Sequence, residues 1–150
     1  MKYIQGQEPP DGCIFCLAAA QEANVENLVI KRQKNAFVIL NRYPYTSGHL
    51  MVVPNLHVST IEDLDPETRR EMIELVNQSM IVLRGVYQPE AFNLGANIGA
   101  AAGAGIAEHV HMHVVPRWNG DTNFMTAVGE TRVLPEALSA TYQRICEQWG

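Results

Sequence analysis

The sequence predicts an α+β fold with a mainly antiparallel sheet, and three observations carry the prediction. Short apolar runs follow one another as candidate strands, without regular alternation with helices. One long stretch after Asp65 carries apolar residues at helical spacing. A second amphipathic stretch lies near the C-terminus. The chain has 150 residues, 47 % of them apolar and 18 % charged, which suits one domain over 1–150 with a sizeable core. No apolar run approaches bilayer-spanning length, so no membrane partner is expected. The start is polar with no leader-like pattern, and three cysteines do not make a disulfide framework. The cytoplasm is the expected location. A net charge of −5 argues against coating nucleic acid, yet leaves room for an anionic small molecule at a locally positive site.

Residues 1–12 read as an irregular arm broken by Pro9, Pro10 and Gly12. A helix is expected from Ile14 to about Glu22, ending near Asn24. Leu28–Arg32 and Phe37–Asn41 flank Gln33-Lys34-Asn35 as a hairpin. Pro44 to Gly48 is a turn, and His49–Val53 is a third strand stopped by Pro54. Asp65-Pro66-Glu67 is a helix start, with an N-cap, proline at the first position and acid in the first turn. Met72, Leu75, Val76, Met80, Leu83 and Tyr87 give that helix one apolar face, with Gly85 and Pro89 marking its end. Phe92–Ile98 is a fourth strand, Gly99 to Gly105 a small-residue loop, and His109–Val115 a fifth strand. Leu138, Tyr142, Ile145 and Trp149 form a helical stripe after Pro135, with Cys146 on it.

The most informative segment is His109-Val110-His111-Met112-His113-Val114-Val115. Alternate strand residues face the same way, so three imidazoles fall on one face at roughly 7 Å intervals. Three readings are open: a solvated sheet face, a metal chelate, or a catalytic histidine between two that position substrate. Cys13 and Cys16 are spaced C-x-x-C, which is compatible with metal binding, redox chemistry or plain packing. The loop from Gly99 to Gly105 is not a P-loop, because no Gly-Lys-Ser/Thr follows and a strand comes next. It reads as either a phosphate-facing turn or a tight turn that merely needs small residues.

The triad segment resembles the H-φ-H-φ-H-φ-φ signature of the histidine triad family of nucleotide hydrolases and transferases. Gly48-His49-Leu50-Met51-Val52-Val53-Pro54 resembles that family's G-H-φ-φ-φ-φ-P core. Asn97-Ile98-Gly99 with Ala102-Gly103 resembles its N-x-G…A-G loop, and Cys13-Ile14-Phe15-Cys16 its N-terminal C-I-F-C. The run from Glu108 to Phe124 most resembles the actinobacterial-type diadenosine polyphosphate phosphorylases and hydrolases of the family. The resemblance implies a HIT-like fold with a five-stranded sheet, one long helix and a C-terminal helix. It implies a homodimer and a purine nucleotide or dinucleoside polyphosphate as ligand.

Carried over by position, His111 is the nucleophile, giving a nucleotidyl-histidine that water or phosphate opens. His113 contacts phosphate oxygens, His109 completes the triad and His49 supports it from the neighbouring strand. Asn97 lies near the phosphate, Asn41 holds the ribose, and Ile14, Phe15 and Ile39 sandwich the base. Gly103 and Gly105 offer backbone N–H groups to phosphate. Trp118 is either a stacking surface for a second base or a packing anchor. Family members with this C-x-x-C place a structural Zn²⁺ on residues matching Cys13, Cys16, His57 and His109, and Mg²⁺ can arrive with the substrate. One departure stands out: Ala104-Gly105 replaces the family's late-loop Gln or Ser donor. A phosphoramidate hydrolase, or a nucleotide-binding module with little turnover, are the competing expectations.

Overall fold

The computed structural model describes residues 12–121 and 136–150. The expected arm up to residue 11, and the Phe124 and Pro135 positions, lie outside the described residues. The elements in order are helix α1 (Ile14–Ala19), strands β1 (Val29–Arg32), β2 (Ala36–Leu40) and β3 (Leu50–Pro54), and a short 3-10 turn (Ile61–Asp63). Helix α2 (Pro66–Tyr87), strand β4 (Ala91–Gly95), a second 3-10 turn (Ala100–Ala102), strand β5 (Met112–Arg117) and helix α3 (Leu138–Trp149) follow. The strands form one antiparallel sheet in the order β1-β2-β3-β5-β4. This is the expected α+β architecture. No helix among the described residues is long and apolar enough to cross a membrane.

Register assigns the two faces of the sheet. Leu40, Leu50, Val114 and Leu94 stand opposite one another in one row, and Ile39, Met51, His113 and Gly95 in the next. Consecutive strand residues point to opposite faces. The second row therefore looks away from the first, and Ile39, Met51 and His113 line a cavity. Helix α2 packs on β2, β3 and β5, and α3 packs on α2 and β1. Strands β2 and β3 are buried throughout, which accounts for their unbroken apolar runs. The turn between them is seated on α2 at Gly48. There φ is 88°, and a Cβ would stand 3.0 Å from both Leu83 and Tyr87.

Most strand boundaries shift by one or two residues, so that Pro54 closes β3 from inside the strand, and the larger shifts have local reasons. Helix α1 stops at Ala19 because the Arg32 guanidinium takes the carbonyls of Ala18, Ala19 and Gln21. Gly85 lies inside α2: Gln148 of α3 comes within 2.6 Å of where a Cβ would be, so the glycine serves close approach. Helix α2 runs on to Tyr87 and is capped by Gln88, in the left-handed region with φ 47°, directly before the expected marker Pro89. Strand β5 begins at Met112, three residues later than expected, because the Val110 N–H donates to the Val58 carbonyl at 2.8 Å and not to the sheet. Its neighbour β4 correspondingly ends at Gly95, paired with His113.

Candidate active site

The shifted start of β5 separates the three histidines. His109 and His111 lie ahead of the strand, and His113 lies within it. Each ring has a hydrogen-bond partner that decides where its proton sits. His111 Nδ1 is 2.9 Å from the His109 carbonyl. A carbonyl only accepts, so Nδ1 carries the hydrogen and Nε2 keeps its lone pair. His109 Nε2 donates likewise to the Pro54 carbonyl at 2.8 Å, which leaves its Nδ1 unprotonated. His49 Nδ1 accepts the Tyr45 backbone N–H at 3.2 Å, so His49 Nε2 carries a hydrogen and donates it to His113 Nδ1 at 2.8 Å. Neutral His113 then presents Nε2–H. The cavity is thus offered one imidazole lone pair and one imidazole donor, their rings 4.9 Å apart.

That cavity has a volume of about 910 Å³ and is lined by Ile14, Phe15, Ile39, Asn41, Asn97, Gly103, Gly105, His111 and His113. These sequence candidates do come together. His49 and His109 stand behind them, fully buried. Trp118 does not line the cavity; its ring packs edge-on against Tyr87 with centroids 6.3 Å apart. His111 is not on an open sheet face either. It is buried, with the Phe15 ring 4.8 Å away. Asn41 Oδ1 accepts the Tyr43 N–H at 2.9 Å, so this residue shapes the turn as well as lining the site.

The small-residue loop differs from the simple expectation of backbone donors. The Gly103 N–H is committed to the Ala100 carbonyl at 3.0 Å. The Gly105 N–H has no partner among the described residues, and a side chain there would meet open space. Met51, Leu28, Tyr43 and Tyr45 also line the cavity and were missed. Met51 could have been found by alternation from Ile39 once the β2–β3 register is known. Leu28 has φ 64°, a left-handed conformation that the residue type does not signal.

Cys13, Cys16, His57 and His109 form a second, buried cluster whose ligand atoms all lie within 4.8 Å of one another. Five of the six pairs of ligand atoms, all but the two thiols, stand 3.1–3.6 Å apart. Zinc bond lengths to sulfur and nitrogen give tetrahedral edges of about 3.3–3.8 Å, so the donor set and the spacing both fit that ion. The unprotonated Nδ1 of His109 points at this cluster. Without a cation, burial and the Cys13 thiol push Cys16 up to about 12. The same His109 thereby faces the cluster with its ring and the cavity residue His111 with its carbonyl.

Burial sets the charge state of the site. It lowers His49 to about 3, assisted by the rings of His113 and His111. It lowers His113 to about 4, assisted by His111. His111 is also lowered by burial, against its bond to the His109 carbonyl. At neutral pH these rings are uncharged, as a lone-pair nucleophile requires. In the unfolded chain histidine titrates near 6.5, so below that pH the unfolded state binds protons that the folded state refuses. The contribution of His49 and His113 is full above 6.5 and is lost as pH falls toward 4 and 3. Urea midpoints should therefore fall between pH 7 and pH 5, above the range where most carboxylates titrate, and His113→Asn should flatten that fall. A midpoint equal at both pH values would contradict the neutral buried rings.

Comparison with known proteins agrees with this geometry. The HIT domain family profile matches residues 22–120. The AP-4-A phosphorylase of Mycobacterium tuberculosis is 43 % identical over 130 residues, covering 87 % of this chain and 67 % of that protein. The adenylylsulfatase HINT3 of Arabidopsis thaliana is 31 % identical over 79 % of this chain and 58 % of its own length. The crystal structure of a Zn-bound histidine triad family protein from Mycobacterium smegmatis superposes with a TM-score of 0.73 at 28 % identity, covering 92 % of this chain and 93 % of that one. The fold is the HIT fold, and the chain belongs to the HIT domain family.

Proposed function

We propose that this protein cleaves dinucleoside polyphosphates such as diadenosine tetraphosphate through a covalent nucleotidyl-His111 intermediate. The observation that carries the reading is the tautomer of His111, whose Nδ1–H is tied to a carbonyl while Nε2 is left to attack. Support for the substrate class comes from the 43 % identity to an AP-4-A phosphorylase. One nucleoside occupies the apolar part of the cavity between Ile14, Phe15 and Ile39, with Asn41 at its ribose. His111 Nε2 attacks the α-phosphorus in line, an N–P bond forms, and the P–O bond to the remaining polyphosphate breaks. His113 Nε2–H and Asn97 hold the phosphoryl oxygens. A water or a phosphate then attacks the same phosphorus and the N–P bond breaks. Water releases a mononucleotide and a proton; phosphate releases a nucleoside diphosphate. With no side-chain donor at Ala104 or Gly105, the acceptor rests on the Gly105 N–H. A divalent ion accompanying the substrate would be held mainly by the phosphates themselves.

The assembly expected from the resemblance, a homodimer, enters the same proposal; exposed edge strand β4 is where a second copy would extend the sheet. Product analysis of diadenosine tetraphosphate with and without phosphate tests the chemistry. ADP plus ATP is expected at high phosphate, and AMP plus ATP, formed slowly, without it. His111→Gln should lower turnover ~10³-fold or more, since it removes the nucleophile. Turnover within tenfold of the parent would contradict the assignment. So would an inert dinucleotide beside a rapidly cleaved adenosine 5′-phosphoramidate.

The Cys13, Cys16, His57 and His109 cluster is proposed to hold one structural Zn²⁺. Four protein ligands leave the ion no open position for substrate. Its contribution is folding free energy, pinning the segment that carries Ile14 and Phe15 beside His111. Protein purified without chelator should contain about one zinc per chain. Chelation should lower the melting temperature first and activity only as this segment loosens. Zinc-free protein of unchanged melting temperature would reject the site.

A further inference from the structure

Two tyrosines line the cavity without a task in the proposed reaction. Tyr43 and Tyr45 flank Pro44 on the turn between β2 and β3. They are 81 % and 62 % exposed, yet both belong to the cavity wall. The Tyr45 ring lies nearly parallel to that of His113, with 18° between planes and centroids 6.2 Å apart. It also leans on His49 at 4.5 Å.

The backbone that carries these rings is fixed at several points. Asn41 Oδ1 accepts the Tyr43 N–H, and His49 Nδ1 accepts the Tyr45 N–H. The Thr46 hydroxyl donates to the Pro116 carbonyl at 2.7 Å, and Gly48 is seated on α2. A ligand that used the two rings would find the backbone that carries them already ordered, which lowers the entropy cost of binding.

A dinucleoside polyphosphate is longer than the part of it that the apolar cavity wall and His111 engage. With one nucleoside inside the cavity and its phosphorus at His111, the remaining phosphates and the far nucleoside extend outward from His113. Tyr45 lines the cavity, lies beside His113 and is open to solvent, so it stands where such a far nucleoside can reach a ring. Trp118, a sequence candidate for stacking a second base, packs on Tyr87 instead.

We propose that Tyr45, with Tyr43 beside it, forms a stacking platform for the base of the departing nucleotide. The inference rests on the dinucleoside polyphosphate reading above. Stacking uses the π-face that every base has. The platform therefore favours a substrate with any second base over one with none.

The test compares diadenosine tetraphosphate with adenosine 5′-tetraphosphate, which has the same attacked phosphorus and four phosphates but no second nucleoside. The readout is the ratio of the two kcat/KM values. Tyr45→Ala should lower that ratio about tenfold, which lies within the range measured for base–aromatic stacking. Tyr43→Ala should lower it less, and Tyr45→Phe should preserve it. If Tyr45→Ala slows both substrates equally, Tyr45 merely supports His113 and the platform is overturned. If the parent protein cleaves both substrates and no tyrosine variant moves the ratio, the platform alone fails. If the parent protein cleaves neither, the dinucleoside polyphosphate reading fails and the platform falls with it.

Discussion

The carbonyl of His109 decides which nitrogen of His111 can react. By accepting the Nδ1–H at 2.9 Å, it holds the ring in one tautomer and one orientation, with the lone pair of Nε2 toward the cavity. That carbonyl is itself held on both sides. The His109 ring donates to the Pro54 carbonyl of β3 and turns its other nitrogen into the Cys13, Cys16, His57 cluster. The next residue, Val110, is fixed by the Val58 carbonyl. Two centres, one of thiols and imidazoles and one of imidazoles and amides, therefore share a single short segment. The Cys13, Cys16, His57 and His109 cluster therefore ties α1 to the segment whose carbonyl orients His111.

Electrostatics complete this arrangement. On a chain of net charge −5, the imidazoles that face the cavity are neutral, one offering a lone pair and one a donor. Burial keeps them neutral by lowering His49 to about 3 and His113 to about 4. A protonated His111 would attract phosphate but could not attack it. A neutral His113 can still donate, because His49 supplies the hydrogen bond to its Nδ1 and leaves the proton on Nε2. The order backbone N–H, His49, His113 is thus a directional chain that begins on the β2–β3 turn and ends in the cavity.

Much of this was legible in the sequence because it is written in residue types with narrow chemistry. His109, His111 and His113 at alternate positions, His49 behind a glycine, and Cys13 with Cys16 each narrow the site to a few chemistries, and their order along the chain narrows it to one family. Asp65-Pro66-Glu67 marks a helix start that the structure places at Pro66. The losses are equally specific. The C-terminal end of α1 is set by Arg32, thirteen residues away from the carbonyl of Ala19, and no local signal reports a distant guanidinium. Gly85 reads as a helix stop but answers to a side chain of α3. The start of β5 depends on Val58, and alternation continues in the sequence even where the backbone has left the sheet. Trp118 and Tyr45 are both aromatic residues near the triad, and only the packing of the β2–β3 turn shows which one reaches the cavity.

The central claim, that hydrogen bonding fixes His111 with its proton on Nδ1, can be read directly from imidazole nitrogens. Long-range proton–nitrogen correlation spectra of protein labelled with ¹⁵N-histidine, recorded at pH 7, distinguish the two neutral tautomers ring by ring. His111→Gln assigns its signals by their loss. The account predicts His111 as the neutral Nδ1–H tautomer, with His49 and His113 both neutral and protonated on Nε2. A His111 ring protonated on Nε2, or charged at pH 7, would contradict it.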